Sequence, residues 1–182
     1  MEPMTVQPLD FGGYTIADLE AWPDDEALRY ELEDGCLIVS PSPPNPHNIA
    51  ATQLAALLLV ELGDDWRVAA AGAVLFDAHN YREPDLVVIR RDGARSAYAD
   101  PTDVLLAVEV VSPSSIRRDR LVKPAQYAEA GIPHFWRIEP LDRVLVTYAL
   151  DGRTYLETGR FTDEVVIDEP VRLRFRLTQL LD

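Results

Sequence analysis

The sequence predicts an α/β or α+β fold, a mixed sheet flanked by helices, and three features carry that expectation. Apolar runs at 85–90 and 104–111 have the length and composition of strands, the second typical of a strand covered on both faces. A stretch at 47–62 repeats apolar residues at helical spacing, and a second helix fits 122–130, ahead of Gly131. Asp-Gly dipeptides at Asp34-Gly35, Asp92-Gly93 and Asp151-Gly152 supply turns between the apolar segments.

Taken in order, residues 15–22 read as a short helix capped by Thr15 and closed by Pro23. Strands at 29–33 and 36–39 flank Asp34-Gly35, the signature of a tight hairpin. A proline-rich loop at 41–46 leads into the helix at 47–62, where Ile49, Ala50, Leu54, Leu57 and Leu58 share a face and Gly63 ends the run. Strands are expected at 67–71, 73–77, 85–90 and 104–111, then the helix at 122–130, then strands at 135–139, 144–149 and 155–157. The remainder, 161–182, reads as extra edge strands and a short terminal turn. With 182 residues, no repeat and no linker, the chain is expected to form one domain over 1–182, its core spanning about 14–160.

Composition narrows the function classes. A lone cysteine, Cys36, excludes a disulfide within the chain. The first residues lack a basic start and an apolar core, and the longest apolar run, 54–60, is too short to span a bilayer, so a cytoplasmic protein without a membrane partner is expected. Lys and Arg total 17 against 31 Asp and Glu, a net charge of −14. That balance opposes a nucleic-acid partner, since binding to phosphates draws its affinity from basic side chains. The densest basic group is Arg117, Arg118, Arg120 and Lys123, and on composition alone a solvated loop or helix end is the better account of it.

Two carboxylates stand out against this background. Asp85 and Glu109 sit beside or inside apolar runs that read as buried strands. A buried charge is costly unless paired, and a divalent cation between them is one such partner. Oxygen ligands suit magnesium or manganese, which points toward phosphodiester cleavage. The plainer alternative satisfies Asp85 with backbone amides and Glu109 with a neighbouring Arg or Lys. Ser112 and Ser114 lack the surroundings of a nucleophile elbow, and no phosphate-cradling glycine loop is present. His79 and His134 lack partners at metal-ligand spacing and read as structural.

Five elements in order carry a family resemblance: Tyr-Glu-Leu-Glu-Asp-Gly at 30–35, a proline loop followed by His47, Pro-Asp-Leu at 84–86, Glu-Val-Val-Ser-Pro-Ser-Ser at 109–115, and the segment from Arg118 to Ile132. Together they resemble the Uma-two family of restriction-endonuclease-like proteins, within the PD-(D/E)XK nuclease superfamily. The resemblance covers nearly the whole chain from about Tyr14. It implies a restriction endonuclease-like fold and Mg²⁺ or Mn²⁺ held by Asp85, Glu109 and the backbone carbonyl of Val110, hydrolysing DNA. The lysine that the superfamily places two residues after the glutamate is replaced here by Val111. The resemblance implies that Lys123 takes over its role from the following helix, with Tyr127 one turn further on. Pro124 fits a first helical position, which would leave Lys123 just outside the helix. Glu31 is a further carboxylate candidate, His47 an auxiliary one. A homodimer formed on a C-terminal strand edge is expected by analogy with nucleases that cut both strands. The alternative reading is a non-catalytic binding or regulatory module on the same fold, favoured by the acidic charge and by Val111.

Overall fold

The computed structural model of the chain describes residues 12–22 and 27–182, together with the backbone of strand β1 (Met4–Val6). The α+β expectation holds, with the strands divided between two larger sheets and a hairpin where a single mixed sheet was expected. The smaller of the two has the order β1-β3-β2-β6-β5 and contains β2 (Leu28–Glu33), β3 (Cys36–Pro41), β5 (Val74–Asp77) and β6 (Asn80–Arg82). The larger has the order β11-β10-β9-β8-β7-β4. Its members are β4 (Trp66–Ala70), β7 (Leu86–Arg90), β8 (Val104–Val110), β9 (His134–Glu139), β10 (Val144–Asp151) and β11 (Thr154–Phe161). Within it β8 and β9 run parallel, joined through helix α3 (Lys123–Glu129), and the other pairs are antiparallel.

Local chemistry explains the turns and caps. Helix α1 (Ile16–Glu20) begins with a capping box: Thr15 Oγ1 accepts from the Asp18 amide at 3.3 Å, and Asp18 returns the bond to the Thr15 amide at 2.8 Å. Pro23, expected to close this helix, lies outside the described residues. Between β2 and β3, Asp34 (φ 48°) and Gly35 (φ 74°) both adopt the left-handed conformation that a two-residue hairpin turn requires. Helix α2 (Asn45–Glu61) starts two residues earlier than expected, with proline in its first turn.

The larger sheet has a core on each face. On one side Leu86, Val88, Leu106, Val108, Val110, Trp136 and Ile138 pack against Ala50, Ala51, Leu54 and Leu58 of α2. This layer also receives the hairpin β12 (Glu164–Ile167) and β13 (Leu173–Arg176), then helix α4 (Thr178–Leu181). Removing Leu54 and Leu58 from water contributes about 1.5–3 kcal/mol for each side chain. On the opposite face Val87, Ile89, Ala107 and Phe135 meet Tyr127 and Ile132. A third cluster, centred on Leu32, Leu37 and Tyr81, holds the smaller sheet to α1.

Further expectations change. Ile49 is 51% exposed, because Ala51 rather than Ile49 completes the buried face of α2. The strand at 74–77 joins the smaller sheet, and β6 was not foreseen. The helix at 122–130 is preceded by a wider π-type turn, Arg118–Val122, in which the Lys123 amide donates to the Arg118 carbonyl. Lys123 accordingly begins the helix instead of lying outside it.

Candidate active site

The site lies where the two sheets and the starts of α2 and α3 meet, and side-chain alternation along β8 creates it. Leu106, Val108 and Val110 point into the α2 core, which leaves Ala107 and Glu109 facing α3. Glu109 is thereby buried, 1% exposed, one strand position from the end of an apolar row. Its Oε2 meets Lys123 Nζ at 3.0 Å, and its Oε1 accepts from the Tyr127 hydroxyl at 2.6 Å. Lys123 and Tyr127 are four residues apart and share one helix face, so both reach the same carboxylate.

Asp85 stands just ahead of β7 and is equally enclosed. Its Oδ1 receives Arg29 Nη1 at 2.8 Å, while its Oδ2 accepts the Val110 amide at 2.8 Å and lies 3.0 Å from His47 Nε2. Burial works to raise the Asp85 pKa, but the His47 contact, the Lys123 charge and the Val110 amide outweigh it and hold the carboxyl at about 2. Glu109 shows the opposite balance. Burial, then the nearby charges of Asp85, Asp119 and Glu31, push its carboxyl well above the usual range despite Lys123.

Lys123 is the hub of this cluster. Beyond Glu109, its Nζ lies 3.3 Å from Glu31 and 3.8 Å from Asp119. Burial would lower its pKa, yet Glu109, Glu31, Asp119 and Asp85 together raise it, so the ammonium stays charged. Glu31 extends from β2, accepts the Glu83 amide at 3.1 Å and sits 3.6 Å from the buried Arg82. Its burial is outweighed by Lys123 and Arg82, which lower its pKa. Asp119 receives the Ser115 hydroxyl, yet burial dominates and lifts its carboxyl to about 6.

These groups line one cleft of ≈ 360 Å³ that also exposes Ser40, Ser42, Ser112, Ser114 and Arg118. Glu31, His47, Asp85, Glu109 and Lys123, all singled out from sequence, line it together, and Tyr127 lies behind Glu109. The basic group at 117–123 does not act as one patch. Lys123 turns inward, Arg118 lines the cleft, and Arg120 pairs with Glu139 and Asp142. His79 is structural, its Nδ1 2.9 Å from the Tyr14 carbonyl. Sequence reasoning passed over Arg29, Arg82 and Asp119. Asp119 carried a usable signal, an acid four residues before a lysine; Arg29 and Arg82 look like ordinary strand charges.

Were they to hold a cation, Asp85 and Glu109 would offer an open site rather than a cage. Among the described residues no three His, Cys, Asp or Glu side chains converge as a ligand group. That disfavours the closed geometry of structural zinc, whereas magnesium commonly takes one or two carboxylates and fills the rest of its shell with water and phosphate oxygen. The cluster is also rich in negative charge: Glu31, Asp85, Glu109 and Asp119 surround Lys123, with Arg29 at the rim.

Comparison with known proteins agrees with this architecture. The crystal structure described as "a putative nuclease belonging to DUF820", from Anabaena variabilis ATCC 29413, superimposes with a TM-score of 0.71 over 92% of this chain and 97% of that one, at 16% identity. At that identity the likeness is one of fold, and the fold is that of the restriction endonuclease-like proteins. No curated protein matches the sequence. A family model described as "Uma2: Putative restriction endonuclease" matches residues 16–179, and the chain belongs to that family.

Proposed function

We propose that the protein is a metal-dependent endonuclease that hydrolyses phosphodiester bonds in DNA. The observation that carries this reading is the convergence of Asp85, Glu109 and the permanently charged Lys123 on one solvent-open cleft. Asp85, Glu109 and the Val110 carbonyl are the groups to hold Mg²⁺ or Mn²⁺. When bound, such an ion activates water and offsets charge on the reacting phosphate.

The chain's own residues supply the rest. Lys123 cannot act as a base, because four carboxylates keep it protonated; its role is electrostatic, toward negative charge building on the phosphate. Tyr127 and Lys123 fix both oxygens of Glu109, and the Val110 amide with His47 fixes Oδ2 of Asp85, so neither carboxylate rotates freely. Glu31 anchors Lys123 from the second sheet.

Cleavage of duplex DNA by the full chain, measured while titrating Mg²⁺ and Mn²⁺, tests the reading. Metal-dependent cutting that disappears in Asp85→Asn and Glu109→Gln is expected. No cutting and no binding of either metal at millimolar concentration would favour the second reading, a non-catalytic module, which the charge of −14 and Val111 support.

A further inference from the structure

The two oxygens of Asp85 are held in different ways. Oδ2 is bound by the Val110 amide and His47, both part of the buried framework. Oδ1 is bound by Arg29, whose side chain reaches in from the rim of the cleft and remains 23% exposed. Arg29 differs in this from the two buried cations beside it: Lys123 contacts three carboxylates, and Arg82 is fully buried between Glu31, Glu33 and Gln126. We propose that Arg29 is a displaceable counter-ion, which neutralises Asp85 while no divalent cation is bound and, once released, binds substrate phosphate at the mouth of the same cleft. This rests on the metal-dependent reading above and extends it to a residue that the five sequence elements leave without a role.

The chemistry follows from competition between two cations for one carboxylate oxygen. Oδ1 has lone pairs for both, but a guanidinium held 2.8 Å from it would stand close beside a divalent ion on the same oxygen, and their mutual repulsion favours moving Arg29 as the ion enters. The departing side chain has somewhere to go, because the cleft beside it is open and lined by the small residues Ser40 and Ser42. There its planar fork of five donors matches the oxygens of a phosphodiester. The exchange also bears on the acidic character of the chain, since a basic contact to nucleic acid appears only after the ion has entered.

The proposal is tested by calorimetric titration of Mn²⁺ into the full chain, comparing wild type with Arg29→Gln and Arg29→Lys. Removing the competing charge should tighten Mn²⁺ binding by about tenfold in Arg29→Gln, a change of about 1.4 kcal/mol. Arg29→Lys, which keeps a cation but loses the fork, should bind Mn²⁺ close to the wild-type value. Binding of a short duplex oligonucleotide in Ca²⁺ should weaken several-fold in both variants. If wild type binds Mn²⁺ and Arg29→Gln binds it equally or less tightly, or if duplex binding is unaltered, the role of Arg29 is overturned while the metal reading stands. If neither protein binds Mn²⁺, both fall together, and Arg29 is a fixed structural counter-ion.

Discussion

Lys123 Nζ lies 3.0 Å from Glu109 Oε2, a contact made between a helix and a strand. Two residues after the glutamate, Val111 belongs to the buried apolar set, so no side-chain cation is available from the strand itself. The π-type turn at Arg118–Val122 adds a residue to one turn and rotates the helix start. Lys123 therefore faces the site with Tyr127 behind it. The charge beside the carboxylate is thus supplied by α3 and not by β8.

Lys123→Met is expected to destabilise the fold by about 3–5 kcal/mol, because it strands three carboxylates around an uncharged side chain. Urea unfolding of the full chain measures this. Lys123→Arg retains the charge and should lose markedly less, and equal losses in the two variants would mean that packing, not charge, makes the contribution.

Tyr127→Phe removes the 2.6 Å bond to Glu109 and leaves the buried ring in place. A cost of about 0.5–1.5 kcal/mol is expected, the range for an ordinary hydrogen bond, since the Glu109 carboxyl is pushed toward its neutral form. A change under a few tenths in the same unfolding experiment would show that another donor or water replaces the hydroxyl at that oxygen.

Gly35→Ala tests the hairpin that carries Glu31 and Arg29. Its φ of +74° disfavours a side chain, and an added Cβ would stand 2.9 Å from the Gly13 backbone. The expected loss is about 1–3 kcal/mol, read as a lower thermal midpoint. Unchanged stability would mean that the Gly13 segment yields easily.

The reach of sequence reasoning depended on how local each signal was. Thr15 and Asp18 cap α1 within four residues, and Asp34-Gly35 dictates its own turn, so both were legible. The continuous apolar run at 104–111 likewise announced a strand buried on both faces with one charge inside it. Strand β6 has three residues, too few to display a period, and Arg82 within it gave no hint of being buried. Splitting the strands into two sheets depends on pairings such as Leu32 with Tyr81, which are distant in the chain. Lys123 and Tyr127 were implied by the family resemblance, whereas Arg29 meets Asp85 across 56 residues and left no local trace.

Stability should also depend on pH through Asp119, whose carboxyl is lifted by burial to about 6 from an ordinary 3.8. Between those values the folded chain holds a proton that the unfolded chain has released, so this group's contribution is most favourable below pH 3.8 and falls as pH rises through 6. A shift of roughly two units corresponds to roughly 3 kcal/mol at most at neutral pH. Asp119→Asn, which mimics the protonated form, should recover part of this at pH 7 and flatten the stability profile between about pH 4 and 6. Asp85 works in the opposite sense: held at about 2, it contributes stability above 3.8 that is lost as pH falls through 2, and the Asp119 variant leaves that acid limb in place. Urea midpoints measured from about pH 2 to 8 separate the two groups. An Asp119→Asn profile parallel to wild type throughout would show that the Lys123 and Ser115 contacts offset the burial of Asp119 in full.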